Sequence, residues 1–155
     1  MKYSILGILT DVYKRGYNSY EHLPKKLKAI IKGGNKMKIA ISAQGKEKTA
    51  LLDPRFGRCE VFQVYDDSSK NITVIENKGG KSGGGAGIAA AQQIIDENIE
   101  VVITGNVGPN AHGLLSGNDI KVCKSAIVSV EDAIKEFEAG NLQDISGAGP
   151  AHAGM

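Results

Sequence analysis

The sequence predicts an α/β domain in three layers, with helices covering both faces of one sheet. Three observations predict it. From Met37 onward, strand-like and helix-like segments follow in the order βββαβαβα. The first strands are joined by short polar connections, as in an antiparallel meander. The later ones are separated by helices, and such crossovers make parallel neighbours whose two faces must both be covered. The chain has 155 residues, 41% of them apolar, which is enough for one core of this kind.

The elements follow in order. Lys38–Ala43 (KIAISA) alternates as a strand with Ile39 and Ile41 on one face. A loop over Gln44–Cys59 contains Asp53-Pro54-Arg55-Phe56-Gly57-Arg58. Glu60–Tyr65 and Asn71–Glu76 are strands flanking the polar turn Asp66-Asp67-Ser68-Ser69-Lys70. A glycine-dense run, Lys78–Gly87, leads into a helix near Ala86–Asn98, with Ile88, Ala91 and Ile95 at helical spacing. Glu100–Thr104 (EVVIT) reads as a buried parallel strand. Gly105-Asn106-Val107-Gly108 is a second glycine loop, and Pro109 then sits in the first turn of a helix reaching about Ser116. Ile120–Cys123 is a short strand. Ser129 caps the last helix, whose stripe is Val130, Ala133, Ile134 and Phe137 and which Gly140 ends.

Charge divides the chain at the same place. Residues 1–36 carry eight Lys/Arg against two Asp/Glu; residues 37–155 carry eleven against fifteen. Residues 1–36 therefore read as a basic N-terminal extension, upstream of the native start or disordered. Lys32-Gly33-Gly34 can be encoded by a ribosome-binding sequence placed just before Met37. Residues 37–140 are the folded domain, and 141–155 a flexible Gly/Ala tail. The mildly acidic body argues against a nucleic-acid surface. No apolar stretch approaches the ~20 residues of a membrane span, and Tyr3–Leu9 is too short for a secretory signal, so a cytoplasmic protein without membrane contact is expected. Cys59 and Cys123 are the only cysteines. Their spacing excludes a zinc knuckle or a self-contained four-cysteine iron–sulfur site.

The glycine loops are where chemistry is expected. Gly83, Gly85 and Gly87 free the backbone to present N–H groups, and the following helix adds donors and a partial positive charge, which together suit an anion. Two nucleotide motifs fail. A phosphate-binding P-loop ending at Gly80-Lys81-Ser82 would need glycine where Ile75 stands. Gly85-Ala86-Gly87 lacks the acidic residue a dinucleotide fingerprint needs at the end of the next strand, which here runs into Gly105-Asn106. Both glycine loops follow strands expected to be close in the sheet, where ligands of open α/β sheets gather. Arg55, Arg58 and Lys81 add cations to the same region.

In order, Asp53–Cys59 before a strand, Gly85-Ala86-Gly87 opening a helix, and Gly105-Asn106-Val107-Gly108-Pro109-Asn110-Ala111 after a Val/Ile strand resemble the dinitrogenase iron–molybdenum cofactor biosynthesis family. That family includes NifX-like carriers and the molybdenum–copper orange protein, and the likeness spans Met37 to about Gly140. It implies a ribonuclease-H-like motif with a five-stranded mixed sheet, and non-catalytic binding of an anionic metal–sulfur cluster or its precursor. Some relatives carry histidine in the loop that here reads Gly79-Gly80-Lys81-Ser82-Gly83. Lys81 can attract an anionic cluster but, protonated, cannot ligate metal.

Cys59 stands beside two arginines, which should favour its thiolate, a soft ligand for a metal–sulfur centre. His112, on the helix after Gly108-Pro109-Asn110, is the second candidate metal contact. Cys123 reads as core packing, His152 as solvent-exposed, and Asp53 as fixing the Asp-Pro turn. Arg55, Arg58, Lys81, Gly83, Gly85, Gly87 and Asn106 form the expected anion site. The expected function is a carrier of an iron–molybdenum or other molybdenum–sulfur cluster, held as cargo between donor and acceptor proteins. No nucleophile–base pair or paired carboxylates mark an enzyme. The rival expectations are a nucleotide-binding protein using the glycine loops, and a regulator with a basic DNA-binding arm.

Overall fold

The computed structural model describes Pro24 and residues 37–81 and 83–145. The readings that fall on the rest of 1–36, on Ser82 and on 146–155, that of His152 among them, lie outside the described residues. The chain divides into two units, Met1–Lys36 and Met37–Met155, and the fold below is that of the second.

One mixed sheet of six strands has the order β3-β2-β1-β4-β5-β6. The strands are β1 (Lys38–Ala43), β2 (Val61–Asp66), β3 (Ile72–Glu76), β4 (Val101–Thr104), β5 (Lys121–Lys124) and β6 (Gln143–Asp144). β1 pairs antiparallel with β2 and parallel with β4, and β4 pairs parallel with β5. Among the described residues three α-helices complete the fold: α1 (Ala86–Asp96), α2 (Pro109–Gly117) and α3 (Val130–Glu138).

Period-two alternation explains the layers. Ala40 of β1 joins Phe62, Val102 and Val122 in a core built with Ala90, Ala91 and Ile94 of α1 and Ala111 and Leu115 of α2. Ile39 and Ile41 join Val101, Ile103 and Cys123 in the opposite core, against Val130, Ala133 and Ile134 of α3. Ser42 and Thr104, buried on adjacent parallel strands, meet at 2.7 Å between hydroxyls, so neither polar group is orphaned. The β2–β3 turn closes because Asp66 accepts from Ser68 and Ser69 while Lys70 adopts φ 62°. α3 starts as its sequence predicts: the Ser129 hydroxyl accepts from the N–H of Asp132 at 3.1 Å.

The sixth strand corrects the expected count of five. β6 lies in the segment read as tail and pairs antiparallel with β5 through Cys123–Asp144 and Lys124–Gln143. Both of its residues are exposed, so no apolar alternation marks it. What anchors the segment is the next residue: Ile145 donates its N–H to Val122 O at 2.8 Å and packs against the α1–α2 core.

β1 and β3 run alike against β2, and β4 and β5 run with β1. The Gln44–Glu60 connection, the Asn77–Gly85 loop and the Gly105–Gly108 loop therefore emerge at one end of the sheet.

Candidate functional site

The Asp53–Cys59 loop is a rigid turn. The buried Asp53 carboxylate accepts from the backbone N–H of Arg55 at 2.9 Å and from its guanidinium through two further bonds, at 3.0 and 2.9 Å. This is the turn-fixing role expected of Asp53. The hydrogen bond and charge of Asp53 raise the pKa of Arg55 still further, and the guanidinium stays half exposed. The turn is tied to the loop after β4, with Asn106 N–H donating to Pro54 O at 2.7 Å and Phe56 N–H to Asn106 O at 3.3 Å. Gly105 makes that approach possible: a Cβ there would lie 2.6 Å from the Cβ of Pro54. Phe56 packs its ring 5.4 Å from that of Phe62, and a 3-10 turn over Phe56–Arg58 carries both arginines outward.

A second cationic turn, Lys78–Lys81, lies beside the first. One buried amide, Asn77, joins them, and a second, Gln93, ties the lysine-bearing turn to α1. The Asn77 Nδ2 group donates to Gly57 O at 3.1 Å and Cys59 O at 2.9 Å, and Asn77 Oδ1 accepts from Gly79 N at 2.9 Å. Gln93 of α1 donates to Glu76 O at 2.7 Å and accepts from Lys78 N at 3.0 Å. Each partner set occupies both ends of the amide, so these buried groups are satisfied.

Between the turns lies an open groove of about 760 Å³. Its lining includes Lys46, Arg55, Arg58, Lys78 and Lys81 against Asp53, Glu60 and Glu76, a formal excess of two positive charges. With Asp53 bonded to Arg55, the groove is suited to an anion that brings its own inner ligands.

The groove lining includes Arg55, Arg58, Lys81 and Cys59, but the thiol is not in the state its neighbours suggest. Cys59 is 1% exposed and belongs to the α1–α2 core. Burial, followed by the charge of Asp53, pushes its pKa up to about 12. Its Sγ donates to Phe56 O at 3.4 Å and accepts from Asn77 Nδ2 at 3.5 Å. Desolvation and the nearby carboxylate dominate, so the thiol stays protonated at neutral pH.

The remaining candidates lie outside this lining. Gly83 and Gly85 are exposed, and a Cβ on either would meet open space. Gly85 is left-handed at φ 70° and opens α1, whose first turn has no side-chain cap and no acidic residue. Gly87 is a packing glycine: a Cβ on Gly57 would approach Gly87 N to 2.8 Å, and one on Gly87 would sit 3.3 Å from the Cβ of Ala111. Asn106 contributes its backbone to the loop contact already described. His112 faces the C-terminal segment instead: its Nε2–H donates to Ile145 O at 3.2 Å, and Nδ1 lies 3.3 Å from the Ser116 hydroxyl. The Ser116 hydroxyl itself donates to His112 O at 2.6 Å, and His112 stands outside the groove lining. Cys123 is buried in β5, as expected. Among the described residues no three His, Cys, Asp or Glu side chains cluster as a metal site. None of the described helices is long and apolar enough to cross a membrane.

Asn77 and Gln93 were not singled out from the sequence. For Gln93 the signal exists, since it falls three residues after Ala90 on the buried face of α1. Asn77 ends a strand without periodic context and carries no comparable mark.

The chain matches known proteins over the described domain. The family model for the dinitrogenase iron–molybdenum cofactor matches residues 37–140. An uncharacterized protein of Methanocaldococcus jannaschii is 32% identical over 110 residues, 69% of this chain and 90% of that one. The apo form of the orange protein from Desulfovibrio gigas superposes with a TM-score of 0.71 at 32% identity, covering 74% of this chain and 98% of that one. A Thermotoga protein described as a NifB candidate gives 0.65 at 30% identity, covering 73% and 97%.

Proposed function

The chain belongs to the dinitrogenase iron–molybdenum cofactor family, and from that premise we propose that it is a non-catalytic carrier of an anionic metal–sulfur cluster or its precursor. The observation that carries the proposal is the convergence of two separately encoded cationic turns, Arg55/Arg58 and Lys78/Lys81, on one groove at the loop end of the sheet. The family's iron–molybdenum cofactor supports a molybdenum–sulfur cargo in particular.

Magnitudes favour a carrier. In an open groove each charge contact contributes about 1 kcal/mol, as in water, rather than the several expected inside a protein. Micromolar affinity needs about 8 kcal/mol. Several cations and N–H donors must therefore engage the cargo at once, and none is a covalent ligand with a protonated Cys59 thiol. Such a grip is specific for charge and readily released to an acceptor protein. We place this exchange, between cluster donor and acceptor proteins, in the cytoplasm.

The test is anaerobic titration with tetrathiomolybdate, followed by its absorption. Saturable binding that weakens as salt rises from about 0.05 to 0.5 M, where the Debye length falls below the groove's dimensions, supports the reading. Absence of saturation at low salt overturns it.

A further inference from the structure

Gln63 lies in the middle of β2 with no exposed surface, flanked on its strand by Phe62 and Val64 and paired with Ile41 and Val74. An apolar residue would satisfy such a position. Instead, its Nε2 group donates both hydrogens across the fold, to Gly45 O at 2.9 Å and Glu47 O at 2.7 Å. Those are the two residues on either side of Lys46, one of the groove cations. The arrangement leaves Gln63 Oε1 buried with no hydrogen-bond partner among the described residues. A buried acceptor left unpaired destabilises a fold, so this glutamine serves the loop at the expense of its own strand.

The rest of the loop is fastened elsewhere. Gln44 N bonds to Leu51 O at 2.9 Å, Val130 N to Ala50 O at 2.9 Å and Glu131 N to Lys48 O at 3.0 Å. Of the two carbonyls bracketing Lys46, Gly45 O is held by Gln63, and Glu47 O by Gln63 together with the N–H of Ala50 at 2.9 Å.

We propose that Gln63 is a positioning residue that fixes Lys46 on the rim of the groove, so that this lysine takes part in holding the anion. The proposal deepens the carrier reading and rests on it for its first measurement. Tetrathiomolybdate affinity is measured for the parent, Lys46→Gln, Gln63→Met and the double variant, each shown to unfold cooperatively. Both single variants should bind three- to tenfold more weakly, with a shallower dependence on salt, and the double variant no more weakly than either. Parent-like affinity in Gln63→Met, or losses that multiply in the double variant, overturn the proposal. If Gln63→Met does not fold, Gln63→Leu, which fills the buried site without donors and adds no charge, takes its place.

A second measurement needs no cargo. Trypsin should cleave after Lys46 at least tenfold faster in the folded Gln63 variant than in the parent, and an unchanged rate overturns the positioning role. A parent that does not bind tetrathiomolybdate overturns the carrier reading, and cleavage alone then decides whether Gln63 fixes Lys46.

Discussion

The Asn77 side chain reaches the carbonyl of Cys59 at 2.9 Å and its sulfur at 3.5 Å. This contact locks the arginine-bearing turn to the lysine-bearing one. Since Asn77 also accepts from Gly79 N, the spacing between the two sets of groove cations depends on one buried amide.

Asn77→Ala should therefore destabilise the protein by about 1–3 kcal/mol, because the carbonyls of Gly57 and Cys59 lose a buried donor. Asn77→Asp should cost more at pH 8, where a carboxylate would face two carbonyl oxygens, and should recover as pH falls and the acid gains a proton to donate. Urea unfolding at pH 8 and pH 5 measures both. An Asp variant as stable as Ala at pH 8 would show that the donor is not what the turn uses.

Alkaline stability follows from the two thiols. Burial pushes Cys59 from an ordinary 9.0 to about 12 and Cys123 to about 11. The fold thus holds both protons more tightly than the unfolded chain does. Their stabilisation is complete below about pH 9 and is lost as pH rises toward 11 and 12, by at most about 1.4 kcal/mol per pH unit for each thiol. Cys59→Ala should flatten the fall between pH 9 and 10.5 relative to the parent, even if it is less stable overall. Parallel slopes in denaturant melts would show that the Cys59 thiol is not desolvated.

The glycine of Arg55-Phe56-Gly57-Arg58 serves packing. Its missing side chain lets the turn seat against the first turn of α1, where an added Cβ would lie 2.8 Å from Gly87 N and 2.9 Å from Gly87 Cα. Both obstacles are backbone and cannot rotate away. Gly57→Ala should cost about 1–3 kcal/mol and lower Tm by about 5–15 °C. Gly84→Ala, with open space around its Cβ, should stay within about 0.5 kcal/mol. Equal melting temperatures for the two would refute the close approach.

The strands and helices of the body were legible because their faces repeat. KIAISA and EVVIT read as strands because β1 and β4 are buried on both sides by helices. The groove cations were legible as residue types in loops at one end of the sheet. Three things were not. β6 carries only exposed Gln143 and Asp144, so its existence depends on Ile145, a single apolar residue in a glycine-rich stretch. The direction of the Cys59 side chain could not be read from its neighbours, since the arginines beside it turn outward while it turns inward. Asn77 and Gln63 act through hydrogen bonds to distant backbone, a partnership that leaves no period in the chain.

The protonated state of Cys59 and the exposure of the arginines make one comparison decisive for the carrier reading. Arg55→Gln with Arg58→Gln removes two groove cations and leaves the thiol in place. Cys59→Ser keeps every charge and replaces a soft atom with a hard one. With a thiol buried at a pKa of about 12, the sulfur has no thiolate to offer at pH 7.5. The double arginine variant should therefore bind tetrathiomolybdate at least tenfold more weakly at low salt, and its residual affinity should respond less to added salt, because fewer charges are engaged. Cys59→Ser should bind as the parent does, with the anion's charge-transfer bands unshifted, though it should lose some stability from a hydroxyl placed in the core. Arg55→Gln also releases Asp53, so each variant's unfolding is measured alongside its titration. Shifted bands and weaker binding in Cys59→Ser, with the arginine variant unaffected, would mean that the groove opens around the thiol and ligates the metal through sulfur.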